Sequence, residues 1–297
     1  MRSSLFALIL LGLLCACQSA QKATPANESA KAQSAATPSP EPENKSTPLT
    51  TVTQVADDLI VPVQIAKGDT DNANDDYELR IEYPQLKSPT TRQEKQFNQY
   101  IKRLVSKEVR DFEAFCRADK RKRKKPLGFS LGLRYSATII SKKLLCLNLR
   151  WASYTGYLNS DYYTTTINYD LEKGRELRLA DLFKLKSNYL GGMSQVGLKV
   201  LKKTCLMCGC APGVSAGDRL PDGMEYPDDF PAGFKPIKEA VAPKLENFDL
   251  WSLTDKGIEI TFDEYEIAPG CGGIISILLP LEELKPALRE DILVNKL

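Results

Sequence analysis

The sequence predicts an α+β fold: a mostly antiparallel sheet with one long amphipathic helix, followed by a second, smaller α/β half. Three observations predict it. One stretch with helical spacing (Phe97, Ile101, Leu104, Val105, Phe112, Phe115) precedes a run of segments that alternate apolar and polar residues. Short turn-forming clusters separate those segments, which suits hairpins. Helical and alternating segments recur later without strict one-by-one interleaving, the order of an α+β chain.

In chain order, 61–65 and 77–83 read as strands around an Asp/Asn-rich loop. Ser88 is the expected N-cap of the long helix, Pro89 suits its first turn, and Thr90 with Gln93 would form a capping box. The apolar stripe runs to about Cys116 and is expected to face the core. After the basic run 120–125, strands are expected at 129–139 and 144–154, with Leu145, Leu147, Leu149 and Trp151 on one face. A hairpin of 162–170 and 176–179 turns at Glu172-Lys173-Gly174, and 180–183 begins a short helix. A helix over 189–203, a Gly/Pro/Asp-rich loop over 211–236, strands at 248–253, 258–262 and 274–279, and a helical 281–288 complete the chain.

The first 50 residues are of another kind. Arg2 and the ten apolar residues from Leu5 to Leu14 suit a signal-peptide core and are too short to span a bilayer as a helix. Leu14-Cys15-Ala16-Cys17 resembles a lipobox, which implies cleavage before Cys17 and lipid on its thiol and amine. Gln18 follows the cysteine, with no Asp to signal inner-membrane retention, so the outer membrane facing the periplasm is the expected site. From Gln18 to Pro48 there is no Val, Ile, Leu, Met or aromatic residue, a composition that cannot offset the entropy of ordering. The expected organisation is therefore a signal peptide at 1–16, a lipid-anchored tether at 17–50, an N-terminal α+β half at 51–153 and a C-terminal α+β half at 154–297.

Composition narrows function. A formal net charge of +2 leaves no global field to recruit nucleic acid. The 297 residues contain no histidine, which removes Ser–His–Asp, Cys–His and histidine-ligated zinc chemistry. In an oxidising compartment Cys116, Cys146, Cys205, Cys208, Cys210 and Cys271 read as disulfide partners. Cys271 is expected to reach one of Cys205, Cys208 or Cys210. Cys205 would then pair locally with Cys210 or Cys208, and Cys116 with Cys146 would staple the helix to the sheet. A four-thiolate metal site is disfavoured by the tight spacing, so no metal and no cofactor are expected. The oxygen-rich run 69–76 lacks the glycine and closing glutamate of an EF-hand loop. The basic run reads as a solvated loop or as a grip on anionic headgroups or wall phosphates. Asp263-Glu264-Tyr265-Glu266 holds paired carboxylates, but strand alternation would send 263 and 265 to one face and 264 and 266 to the other.

Several short motifs carry a family resemblance. Tyr154-Thr155-Gly156, then Asn168-Tyr169-Asp170-Leu171, Gly174 and Leu179-Ala180-Asp181-Leu182-Phe183, resemble an extracytoplasmic bacterial domain, as do Leu253-Thr254-Asp255-Lys256-Gly257 and Tyr265-Glu266-Ile267-Ala268-Pro269. That domain occurs in RsiV-type anti-sigma factors, which sense lysozyme, and beside the catalytic domain of PdaC-type peptidoglycan deacetylases. The resemblance covers roughly 154–284. It implies a non-catalytic module for a lysozyme-like protein or peptidoglycan, with Tyr154, Gly156, Tyr157, Asn159, Tyr265 and Glu266 as candidate ligand contacts. This chain departs from the family at Gly156-Tyr157-Leu158-Asn159 and at Gly270-Cys271-Gly272-Gly273, in the loops expected to carry recognition. The alternatives are a carboxylate-dependent enzyme on wall glycans and a purely structural envelope lipoprotein.

Overall fold

The computed structural model describes residues 59–68, 77–120, 128–140, 143–156, 160–207, 210–211, 214–231 and 233–290. The expected signal peptide, Cys17, the tether, the loop 69–76 and residues 121–125 of the basic run lie outside the described residues. Strands β1 (Ile60–Lys67), β2 (Tyr77–Leu86), β3 (Phe129–Ile139), β4 (Leu144–Tyr154), β5 (Asp161–Asp170) and β6 (Arg175–Glu176) form one six-stranded sheet in that order. All its pairs are antiparallel except β2 with β3. Helix α1 (Arg92–Lys120) makes the crossover that a parallel pair requires. The fold is α+β, as expected.

Helix α1 lies on one face of this sheet because its apolar side chains recur every turn. Phe97, Ile101 and Val105 are fully buried, and Phe112 and Cys116 extend the line. Phe115 falls off it: it is 42% exposed and leans on Phe129 with ring centroids 5.6 Å apart. The N-terminus corrects the expected cap. Thr91 Oγ1 accepts the Glu94 N–H at 3.2 Å, and the Glu94 carboxylate accepts the Thr90 and Thr91 amides at 2.7 and 2.9 Å. The box sits one residue beyond Thr90/Gln93, and Ser88 is outside it. An anionic Glu94 satisfies open amides at the positive helix end better than the neutral Gln93 would, and those amides hold its pKa below the usual value.

A second layer covers the other face. It contains α2 (Tyr189–Leu201), α3 (Ile237–Ala240), α4 (Leu281–Leu284) and an antiparallel sheet of β7 (Trp251–Leu253), β8 (Gly257–Phe262) and β9 (Ile275–Pro280). β7 is shorter than expected because Leu245–Phe248 winds into a 3-10 turn. The expected strand 176–179 reduces to the two residues of β6, since Leu179–Leu182 forms another such turn, closed by Asp181 accepting the Arg178 amide at 3.0 Å.

β4 divides the two cores by simple alternation. Leu145, Leu147, Leu149 and Trp151 enter the core under α1, while Cys146 enters the core of the second layer. The expected Cys116–Cys146 staple is therefore wrong: both cysteines are free and buried, and they belong to opposite faces of the sheet. Burial pushes both thiols up to about 12, which leaves them unreactive. Residues 47–297 form one compact unit. β5 is paired along its length with β4, so the expected division at 153/154 runs between two hydrogen-bonded strands. Among the described residues no helix is long and apolar enough to cross a membrane.

Candidate functional site

The second layer is tied to the sheet by polar side chains. Asn168, 2% exposed, donates its amide to Trp251 O at 2.7 Å and accepts the Leu253 N–H at 3.2 Å, so it stands in for a neighbouring strand beside β7. Ser252 Oγ donates to Asn148 Oδ1 at 2.6 Å. These contacts fix where the end of β8 meets β5, and with it the site.

Two loops carry the candidate residues. The β4–β5 turn starts from the Ser153–Asp161 pair and carries Tyr154, half-buried, and Gly156 at φ +87°, where a side chain would be strained. Tyr157 and Asn159 lie outside the described residues. The other loop leaves β8 after Phe262. Its first carboxylate, Asp263, accepts the Thr164 amide at 2.9 Å and so pins the loop to the open edge of β5.

Beyond Asp263 the alternation expected of a strand end fails. Tyr265 sits at φ +64° with its ring against Gly270, where any Cβ would collide with it. β8 has already ended at Phe262, and residues 263–266 form a turn closed by the Glu266 N–H on Asp263 O, so Asp263 and Glu264 both reach β5 instead of opposite faces. Burial pushes the Glu264 carboxyl above its usual value, the Tyr162 amide partly opposes that, and Asp161 adds to it by repulsion. Glu264 Oε2 and Thr164 Oγ1 are buried without a hydrogen-bond partner.

Glu266 has a structural part. Its N–H donates to Asp263 O at 3.1 Å, its carboxylate accepts the Asp263 N–H at 3.3 Å, and it pairs with Lys235 at 3.6 Å. Lys235 also donates to Asn247 Oδ1 at 2.6 Å, and Asn247 donates to the Glu239 and Ala242 carbonyls at 2.9 Å each. The carboxylate thereby ties this turn to the long loop before α3.

The turn is backed by cysteines. Cys205 and Cys210 are disulfide-bonded with Cα atoms 5.8 Å apart, one of the two local pairings expected. Cys271 is also disulfide-bonded; its partner, like Cys208, lies outside the described residues. The Leu206 carbonyl packs near Gly272 in the Gly270–Gly272 3-10 turn. Among the described residues no group of three or more His, Cys, Asp or Glu is placed to hold a metal ion.

The structure sets Tyr265 and Glu266 in the turn that meets β5 and Tyr154 and Gly156 at the start of the β4–β5 turn, while Asp161, Tyr162, Thr164 and Asn168 were missed as site residues. Asn168 had a signal: a polar residue in an alternating strand, inside a family motif. Tyr162 and Thr164 had none, since exposure and an unpaired hydroxyl depend on what packs opposite.

Comparison with known proteins agrees with this architecture. Residues 180–282 match the model of a family described as "Protein of unknown function (DUF3298)". The chain is 26% identical over 215 residues to the peptidoglycan-N-acetylmuramic acid deacetylase PdaC of Bacillus subtilis, covering 72% of this chain and 40% of PdaC. It therefore spans well under half the length of that curated relative. A DUF3298 family structure from Bacteroides fragilis has a TM-score of 0.54 at 19% identity, covering 80% of this chain and 96% of that one, and shows the same fold. One from Pseudomonas aeruginosa gives 0.49 at 13% identity, with 78% and 95% covered. Over residues 180–282, then, this chain is similar to the DUF3298 family, whose function is described as unknown.

Proposed function

We propose that this chain is an extracytoplasmic binding module that recognises a component of the bacterial cell wall, either peptidoglycan or a wall-active, lysozyme-like protein, without catalysing a reaction. The observation that carries this reading is the 215-residue similarity to a protein whose name assigns it to peptidoglycan. The contact of the turn after β8 with β5 supports a recognition site there, and the lack of any histidine argues against metal-dependent deacetylation by this chain. Co-sedimentation with purified sacculi and pull-down with purified lysozymes test it. Retention by one of them is the expected result, and absence from both would remove the idea.

One observation favours a second reading. Glu264, raised by burial beside Asp161, has the character of a general acid, so hydrolysis of wall glycans through these carboxylates is the rival. Soluble glycan fragments released by the wild type and not by Glu264→Gln would establish it.

The lipobox-like Leu14-Cys15-Ala16-Cys17 supports lipid anchoring at Cys17, with the outer membrane as the site. The Cys17→Ser variant is expected to lose fatty-acid labelling and leave the membrane fraction. Retention of both would refute the anchor.

A further inference from the structure

We infer that Arg134 and Arg150 form a carboxylate-binding pair on the open part of the six-stranded sheet, and that its occupant is the free carboxylate of a peptidoglycan stem peptide. This rests on the wall-binding reading and names the wall group that is recognised.

The register sets the pair. Arg134 of β3 and Arg150 of β4 stand directly opposite one another, which brings their Cβ atoms to about 5 Å on one face of the sheet. It is the face of Cys146 and Asn148, because alternation along β4 sends Leu149 and Trp151 into the core under α1. The second layer meets this face at Asn148, through Ser252 of β7. Arg150 is two residues further on, about 7 Å along the strand, and both arginines are exposed. The next cross-strand pair is Gly132 with Ala152, so at most a methyl group rises beside the guanidinium groups on that side. A Cβ added at Gly132 would make only ordinary contacts, 3.8 Å at the nearest, so packing does not force that opening.

Like charges directly opposite in a sheet destabilise it, and here nothing in the chain neutralises them. Among the described residues no ion pair or side-chain hydrogen bond involves either guanidinium. The charged groups around them are engaged elsewhere: Arg80 with Glu78, Glu82 with Gln64 at 3.4 Å, and Asp263 with the Thr164 amide at 2.9 Å. Thr164 is the β5 partner of Arg150, so the row of Arg134, Arg150 and Thr164 runs on to the contact with Asp263. Glu82, one residue past the Ile81–Leu133 pair, stands at its other end. Two arginines flanked by acids constrain the ligand. A carboxylate offers the planar pair of oxygens that arginine forks match, and a single one fits between Glu82 and Asp263 with a neutral peptide leading away. A phosphate polymer or an anionic bilayer brings repeated charges, which the acids at both ends would repel. A neutral sugar would leave both positive charges uncompensated.

The test uses the full chain in detergent micelles, with diacetyl-Lys-D-Ala-D-Ala, which ends in a free carboxylate, and its C-terminal amide as soluble probes. Calorimetric titration is expected to show binding of the acid and none of the amide. Arg134→Gln and Arg150→Gln should each weaken it about tenfold, the loss of one charged hydrogen-bonding contact. Arg134→Lys keeps the charge without the fork and should fall between. Both glutamine variants should melt no lower than the wild type, because each removes a like-charged neighbour, so their weaker binding is not a loss of folding. No binding of the acid, equal binding of acid and amide, or wild-type affinity in both glutamine variants overturns the site. Tighter binding of inorganic phosphate or of phosphatidylglycerol vesicles than of the peptide makes the occupant a phosphate and overturns it too. Retention on purified sacculi without any binding of the peptide overturns the site but leaves wall binding standing. Binding to neither of these nor to lysozymes defeats both readings.

Discussion

The two faces of the six-stranded sheet join their layers in different ways. Under α1, Phe97, Ile101 and Val105 meet Leu145, Leu147, Leu149 and Trp151, all at most 1% exposed, and polar bonds from Asn98 to the Leu86 backbone and from Tyr77 to Glu113 tie the helix to the strands. Toward β7–β9 the apolar core is supplemented at the joint by directional polar contacts, Asn168 to β7, Ser252 to Asn148 and Asp263 to Thr164. An apolar contact tolerates sliding, because dispersion and area burial have no preferred register. Hydrogen bonds between two layers fix their offset to a fraction of an ångström. The polar bonds differ in what they join: on the α1 side they tie a helix to strands, and toward β7–β9 one of them, through Asp263, ties a turn to β5, which is where the rim with Tyr162 and Tyr265 lies.

The largest way to break this comparison is to cut the apolar side. Ile101→Ala is expected to cost about 2–5 kcal/mol in denaturant unfolding, the usual range for a fully buried large-to-small change. A cost below about half a kcal/mol would mean that the stripe of α1 is not core. Next comes Asn168→Ala, which strands the Trp251 carbonyl and the Leu253 amide. It should cost about 2–4 kcal/mol and should increase hydrogen exchange at Leu253 more than at Leu147. Equal exchange at both would show that the side chain does not hold β7.

Glu266→Gln sharpens the reading of Glu266. It keeps an acceptor for the Asp263 amide and removes only the charge paired with Lys235 at 3.6 Å on a partly exposed site, so stability should change by about 0–1 kcal/mol. A larger loss would make Glu266 a structural keystone, and a loss of wall binding with no change in stability would make it a contact.

The smallest effect is a matter of sign. On the α1 side, burial raises the Glu108 carboxyl above its usual 4.5, Lys107 opposes that, and a bond from Tyr163 also lowers it. The folded value being the higher one, its contribution is fully present below the unfolded pKa and is lost as pH rises through the folded pKa. Glu108→Gln should therefore gain melting temperature relative to wild type as pH rises through that interval, and show no such gain below it. A gain confined to acid pH would reverse the assignment.

Legibility followed the range of the interactions involved. The helix, the alternation of β3 and β4, and the 3-10 turn at Leu179–Leu182 depend on neighbours a few residues away, and the chain displays them as spacing. The capping box was misplaced by one residue because Thr90 and Thr91 offer the same hydroxyl, and the carboxylate of Glu94 decides between them. Phe115 read as core because the spacing of the helix continues through it; its exposure reflects where the sheet ends. Strand alternation sends the carboxylates at 263 and 264 to opposite faces, but the strand stops at Phe262 and a turn over 263–266 takes its place.

By itself the sequence determined the α+β class, the amphipathic helix, the family motifs and an N-terminal stretch unlike the rest, because these rest on local periodicity and composition. It also set which residues of β4 share a face, Cys146 opposite the leucines. Only the tertiary structure decided which layer covers which face, and with that the fate of Cys116 and Cys146. It also decided that Asp263 and Glu264 both reach β5. The residues that meet there, 162–164 and 263–265, are about 100 apart in the chain, and no local preference encodes a contact across that separation. It arises when two layers dock, and docking is settled by the sum of burial and the few polar pairs that fit only one offset.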